Sequence, residues 1–383
     1  MARNFDLVIV GGSFAGLACA RTAALRGLKV AVIDAKQEPG ARVRTTGILV
    51  KEAIDDFDVP SPLMRKVRGV RLYSPNGNAA DLHAPGYFFQ TTDTPELLRW
   101  MASEAQSAGA HLMFGARFES AIEDRRGIFL PSFDISTNYL VGADGARSRV
   151  AAHFNLGLNR RFLAGLEIEC DPVAQIDPRF LHCFADSKIA AGYIGWVVPG
   201  HGVTQIGVAA RGGRKPDLAA LIERIKQKWN VELRIIERRS GLIPSGGPVS
   251  SLGRGRVMLI GDAAGIVSPV TGGGIHTALQ FGRRAAQLIS DYLCDCGPDP
   301  VAVLAREIPR YRIKRLLRRA LDLAPPNALI DAMLMTAPMR AFAQRLYFHR
   351  RGGDPASFEA WSRAFESGEM EPLPPPPSEM LCI

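Results

Sequence analysis

The stretch VIVGGSFAGLACARTAALRGLKVAVIDAK, Val8 to Lys36, constrains the fold of this chain more than any other. Phe5–Val10 reads as a buried strand, Phe14–Arg26 as a helix and Lys29–Ile33 as a second buried strand, so the chain opens as a βαβ unit. The turn between strand and helix is Gly11-Gly12-Ser13-Phe14-Ala15-Gly16. Backbone amides at a helix N-terminus form a ready site for a pyrophosphate. Gly11 permits the tight turn, Gly12 keeps it flexible, and Gly16 lets helix and strand pack closely. Ser13 stands where such a turn usually has a second glycine. It is the smallest polar substitute, and its hydroxyl is a candidate donor to a phosphate oxygen. Asp34 ends the second strand eighteen residues after Gly16, with Ala35 following. An acid there accepts from ribose hydroxyls and repels a 2′-phosphate. The segment therefore predicts a site for an adenosine diphosphate group with a free ribose, as in FAD or NAD. The competing reading is a glycine-rich turn with a solvent-facing acid.

Two later stretches separate the cofactors. YLVGADGARSRV places Asp144 after a strand, and RVMLIGDAAGIVSPVTGGGIHTAL places Gly261-Asp262 after another. The second then runs through Pro269 to Gly272-Gly273-Gly274 and Ile275, at the start of a helix. Asp262 is a candidate acceptor for a ribityl chain. Amides at a helix N-terminus suit the electron-rich pyrimidine edge of a flavin and the negative charge of its reduced form. The cofactor is thus expected to be FAD. Its expected contacts are Gly11, Gly12, Ser13, Phe14, Ala15, Gly16, Asp34 and Ala35 at one end, and Asp144, Gly261, Asp262, Pro269, Gly272, Gly273, Gly274 and Ile275 at the other. Arg42, Arg44, Thr45 and Arg99 complete the set; the arginines either meet phosphate or are solvated.

These three stretches resemble the FAD-dependent oxidoreductases of para-hydroxybenzoate hydroxylase architecture. GYIGWVVPG followed by TQIGVAAR is similar to the Tyr-x-Trp-x-Phe-Pro element of the geranylgeranyl reductase family, which lines the substrate cavity near the flavin. The resemblance covers about residues 1–300. Val198 replaces the usual Phe, and Thr45 and Thr46, in RVRTTGIL, replace that family's cysteine environment. The resemblance implies reduction of a carbon–carbon double bond in an apolar, isoprenoid-type substrate, with NAD(P)H as a transient donor. An FAD-dependent aromatic or alkene monooxygenase and a non-catalytic flavin-binding module are the alternatives. Tyr193 and Trp196 read either as cavity lining or as strand core. His276 reads as a flavin contact or proton carrier, or as a hydrogen-bonded structural residue. Thr45 and Thr46 read as partners of flavin N5 or substrate, or as plain loop.

The expected fold is mixed α/β, a Rossmann-like FAD-binding domain interrupted by an antiparallel-sheet substrate domain. The expected FAD-binding parts are 1–66, 91–160 and 248–297, and the substrate domain 67–90 and 161–247. A helical region over 298–370 and a flexible tail over 371–383, marked by Pro374–Pro377, follow. No signal peptide or membrane span is read, so the expected location is the cytoplasm with reduced cysteines; no C-x-x-C pair suggests a metal or redox site. Ten basic residues from Arg310 to Arg351 face only Asp322 and Asp331, so one local element carries most of the net charge of +9. In RYRIKRLLRRALDL, Ile313, Leu316, Leu317, Ala320 and Leu321 form a helical apolar stripe. One reading packs that stripe on the flavin domain with solvated charges. The other brings the 310–319 helix peripherally against an anionic membrane or a phosphorylated lipid-like substrate. No nucleic-acid partner is expected, because no stacking aromatics are interleaved with the charges.

Overall fold

Three glycine-bearing turns lie side by side because three parallel strands end together. The computed structural model describes residues 3–348, so the expected tail over 371–383 lies outside the described residues. The opening βαβ unit consists of β1 (Arg3–Val10), α1 (Phe14–Leu25) and β2 (Val30–Asp34). Strand β1 pairs in parallel with β2 on one side and with Ile135–Gly142 on the other, and Val257–Leu259 extends the parallel run beyond. Together with His111–Phe114 and short antiparallel additions they form an eight-stranded sheet. Leu7, Val8, Ile9, Leu140 and Val141 are fully buried, as central strands covered on both faces require.

This sheet belongs to a unit made of residues 3–43, Thr94–Phe162 and Ile243–Arg315. The helices Thr94–Ser107 and Ile275–Leu293 both pack on α1 within it. A methyl group added at Gly282 would overlap the carbonyl oxygen of Ala15, and one added at Gly16 would overlap that of Gly11. Both glycines are therefore conditions for the close approach of α1 to its neighbours.

A second unit holds Arg44–Asp93, Leu163–Leu242 and the described residues from Leu316 onward. Its seven-stranded sheet is antiparallel except where Phe180–Phe184 runs parallel to Gly69–Tyr73. A hairpin turns at Pro75-Asn76-Gly77, a local Asn-Gly turn signal, with Gly69–Tyr73 paired to Ala79–His83. A three-stranded sheet joins Ile48–Val50, Phe89–Thr92 and Met64–Val67. This pairing gathers residues 44–66 and 91–93 into the second unit, although the sequence reading set them with the FAD-binding parts.

The basic helix departs from expectation. It runs Arg312–Leu321, yet Ile313 and Leu316 are 65% and 67% exposed, while Arg318 is 1% exposed. The apolar stripe is not the packed face. Arg318 is buried because its guanidinium donates to the Gly192 carbonyl and, at 3.0 Å, to Asp322. It also lies 6.0 Å from the centre of the Tyr193 ring.

The glycine approach makes a direct prediction. Gly282→Val should destabilise the protein by about 1–3 kcal/mol or more through overpacking against Ala15. Gly165→Ala, whose added methyl would meet nothing nearer than 3.7 Å, should change the urea midpoint far less. Urea unfolding of both variants, followed by circular dichroism, checks this.

Candidate functional site

The adenosine-end turn is built from α1 and the ends of β1 and β2. Gly11 has φ +113°, and a methyl group there would overlap the Ala143 carbonyl, so only glycine fits between the two strand ends. The Gly11 amide donates to the Ile33 carbonyl at 2.8 Å, and the Ala143 amide donates to the Val10 carbonyl at 2.7 Å. Asp34 accepts from the Gly12 amide at 2.6 Å and from the Lys36 amide at 2.8 Å, which fixes its carboxylate beside the turn. Ser13 is the N-cap of α1, but its side chain makes no capping bond, and no acid occupies the first turn of the helix. The hydroxyl makes no bond to the helix, and the first-turn amides point out from its N-terminus, a geometry that suits an anion. Phe14 and Ala15 are buried on the helix side, and Ala35 is exposed at the rim.

The flavin-end motif follows Val257–Leu259 as a single turn over Gly261–Ala264. Gly261 has φ +56° and lies against Ala15, where an added methyl would sit 2.9 Å from the Ala15 Cβ. Ala15 therefore touches both motifs. Burial pushes the Asp262 carboxyl up to about 6, with no opposing influence from a cation or hydrogen bond. Its own carbonyl is held by the Asn159 side-chain amide at 2.8 Å, which also donates to Ala146 at 3.1 Å. The run Ser268–Gly274 is closed by bonds from the Ser268 amide to Gly273 and from the Gly272 amide to Ser268, both 2.9 Å. Pro269 is buried in this run, Gly272 has φ +68°, and Gly274 caps the helix that begins at Ile275. His276 stands in the first turn of that helix, half-buried.

Asp144 has a different fate. Its carboxylate accepts from the Ser148 hydroxyl at 2.6 Å and from the amides of Arg149 and Val150 at 2.6 and 3.1 Å. It thereby serves the first two amides of the short helix Arg149–His153, whose N-cap is Ser148. Arg99 is exposed and paired with Glu96 at 2.8 Å, and Arg42 and Arg44 are exposed.

In the second unit Thr46 and Trp196 share one acceptor. The Thr46 hydroxyl donates to Glu167 Oε2 at 2.6 Å, and Trp196 Nε1 donates to the same oxygen at 2.8 Å. Trp196 lies flat on Gly207 of the adjacent strand, where any Cβ would collide with its ring. The buried Arg239 guanidinium stands 3.8 Å from Glu167 Oε1, pairs with Glu169, and donates to the Thr45 carbonyl at 3.3 Å. Burial holds Glu167 above the usual carboxylate range despite these donors. Tyr193 is half-buried near Arg318, and burial raises its hydroxyl. Sequence reading missed Glu167, Arg239 and Asn159. The signal for the first was legible: Glu167 and Glu169 are two acids on one face of an otherwise apolar strand.

The first unit's residues fit a flavin adenine dinucleotide. The α1 amides and Ser13 suit its pyrophosphate, Asp34 its ribose, Asp262 its ribityl hydroxyls, and the amides at Gly274 and Ile275 its pyrimidine edge. Asp262→Ala should weaken FAD binding about ten- to a hundredfold, for a loss of about 1–3 kcal/mol. Hydroxyl donors favour the ionised carboxyl, whereas burial in the apoprotein favours the protonated one. This group's contribution to apoprotein stability is therefore largest at low pH and is lost as pH rises through about 6. FAD affinity should rise over the same interval, and Asp262→Asn should flatten that rise. Fluorescence titration of apoprotein with FAD at several pH values measures both.

Comparison with known proteins places these motifs in context. The family model described as "FAD binding domain" matches residues 4–295. A geranylgeranyl diphosphate reductase of Rhodobacter capsulatus is 30% identical over 304 residues, covering 76% of each chain. A digeranylgeranylglycerophospholipid reductase of Methanothrix thermoacetophila is 29% identical over 345 residues, covering 83% of this chain and 86% of its own. Among solved structures, a geranylgeranyl bacteriochlorophyll reductase-like protein from Thermoplasma acidophilum superposes with a TM-score of 0.78 at 20% identity, covering 91% of this chain and 97% of its own.

Proposed function

This chain belongs to the FAD binding domain family and, within it, to the geranylgeranyl reductase family, and from that premise we propose that it reduces carbon–carbon double bonds of an isoprenoid substrate. It is an FAD-dependent oxidoreductase. The observation that carries the substrate reading is the reductase relative at 30% identity, which extends over three quarters of both chains. When bound and reduced by the donor, the flavin would supply a hydride to one alkene carbon, with a proton going to the other and the flavin left oxidised. The protein's part is to hold the dinucleotide through Ser13, Asp34 and Asp262, and to offer helix amides where negative charge gathers on reduction. Trp196 and Tyr193 serve as apolar walls for the substrate, with Trp196 and Thr46 held in place by Glu167. NAD(P)H is the proposed donor. The sequence carries no second dinucleotide turn, so that donor binds without a domain of its own.

Anaerobic incubation of the reduced holoenzyme with a geranylgeranyl substrate should yield product heavier by two hydrogens. Mass spectrometry that instead shows oxygen incorporated from labelled dioxygen, with no anaerobic product, would establish a monooxygenase. Absence of turnover with every donor would leave a binding module.

We also propose a peripheral membrane contact. No described helix is long and apolar enough to cross a membrane. On Arg312–Leu321, however, the exposed Ile313 and Leu316 stand beside exposed Arg312, Arg315 and Arg319. Apolar side chains flanked by arginines suit the interface of an anionic bilayer, at about 1 kcal/mol per basic residue. The protein should sediment with vesicles containing anionic lipid, release at high salt, and lose binding in Ile313→Asp/Leu316→Asp. Sedimentation indifferent to lipid charge and salt, or none, overturns the contact.

A further inference from the structure

Within the first unit, a pocket of about 700 Å³ opens beside the flavin-end loop. Its lining includes Arg160, Arg161, Arg310, Arg312 and Arg315, with no acidic residue. All five arginines are exposed, and Arg160, Arg310, Arg312 and Arg315 form no ion pair with a described carboxylate. They come from two separate stretches of chain, 160–161 and 310–315, so the fold brings Arg160 and Arg161 to the basic run.

Gly247 lets Arg315 close in: a methyl group there would lie 3.1 Å from the Arg315 Cδ, tighter than ordinary contact. Gly247 also has φ +78°, a conformation that favours glycine. Unpaired guanidinium groups crowded at one opening repel each other, and a multiply charged anion reverses that cost. Guanidinium forks match phosphate oxygens two at a time. A cavity of this volume exceeds what an inorganic ion fills and suits a phosphate-bearing organic molecule.

We propose that this arginine-lined pocket is a binding site for a diphosphate group. Two sources carry that chemistry: the head of an isoprenoid diphosphate, and the diphosphate of a nicotinamide dinucleotide donor. Only the first rests on the isoprenoid reading above. The pocket also has a route to the cofactor site. Its Asn159 holds the Asp262 carbonyl, and the Gly247 carbonyl lies so close to Gly265 that a methyl group there would meet it at 2.6 Å. A ligand that orders this wall therefore acts on the loop that bears Asp262.

The test uses FAD-loaded enzyme and inorganic pyrophosphate as the probe, read by calorimetric titration. Saturable, salt-weakened binding is expected. Arg160→Gln/Arg315→Gln should lower the affinity by about tenfold or more, since each charge-assisted bond is worth a factor of this order. Arg319→Gln, on the same helix but outside the pocket lining, should bind as the parent does. All three substituted arginines are exposed, so the fold is expected to persist, and flavin content verifies it. No saturable binding, or equal affinity in the double variant, overturns the proposal.

Kinetic arms then distinguish the source. If the double variant raises KM for geranylgeranyl diphosphate but not for geranylgeraniol, the substrate head occupies the pocket. If it raises the half-saturating concentration of the nicotinamide donor in anaerobic flavin reduction, the donor does. An enzyme that binds pyrophosphate here but reduces no isoprenoid retains the site and loses only the isoprenoid reading. One that reduces isoprenoids while the double variant binds pyrophosphate unchanged loses only the site.

Discussion

The close approach of Gly16 to the Gly11 carbonyl, and of Gly282 to the Ala15 carbonyl, governs the rest of the cofactor-binding unit. Any side chain at either position would push α1 away from β1 or from the helix Ile275–Leu293. Ala15 would then no longer lie against Gly261, and the two motifs proposed for opposite ends of the dinucleotide would lose their common wedge. The order of events matters physically. Parallel strands bring Gly11, Ala143 and Ile260 to one edge through backbone bonds, and the missing β-carbons then let the helices settle onto that edge. A crevice at the carboxyl ends of parallel strands is the general outcome of such a sheet.

Much of this was legible in the sequence. The βαβ opening, the strand before Asp262 and the helix after the triple glycine each carry a local signal in apolar period and glycine placement. The 75–77 hairpin was equally local. Long-range pairing was less legible. Nothing in residues 44–66 announces that Ile48–Val50 and Met64–Val67 both pair with Phe89–Thr92, because short strands are defined by partners distant in sequence. The basic helix shows the limit of periodicity most sharply. Its stripe is genuine in sequence, yet Arg318 is the buried residue. Its guanidinium reaches a backbone carbonyl and Asp322 while Nη1 is left without a hydrogen-bond partner among the described residues, and amphipathic pattern contains no information about those contacts.

Site residues divide in the same way. The turn residues Gly11, Gly12 and Ser13 declare themselves because backbone geometry restricts the residue types allowed there. Glu167 does so only in part. With Glu169 it marks one face of the strand FLAGLEIEC, but nothing local shows that Thr46 and Trp196, distant in sequence, donate to it. The two threonines and the tryptophan were candidates on separate grounds. The fold gives Thr46 and Trp196 a common anchor, and the Thr45 carbonyl accepts from the Arg239 that stands beside it.

Three desolvated carboxyl groups show why one of them is suited to a ligand. Asp144, Glu167 and Asp262 are all shifted upward by burial. Asp144 recovers part of that cost from the Ser148 hydroxyl and the amides of Arg149 and Val150. Glu167 recovers part from Thr46, Trp196 and the nearby Arg239. Both are satisfied by the protein itself, and their function is to hold backbone and side chains in place. Asp262 has burial as its sole influence. The residue is half-buried and its carboxylate has no hydrogen-bond partner among the described residues, so compensation for its burial is left to water or to the donors of a ligand. Hydroxyl donors provide it without adding charge, which a ribityl chain does and a second phosphate does not. The protein's own donors are spent on the structural acids, and the acid they leave unserved stands at the edge where the parallel strands end.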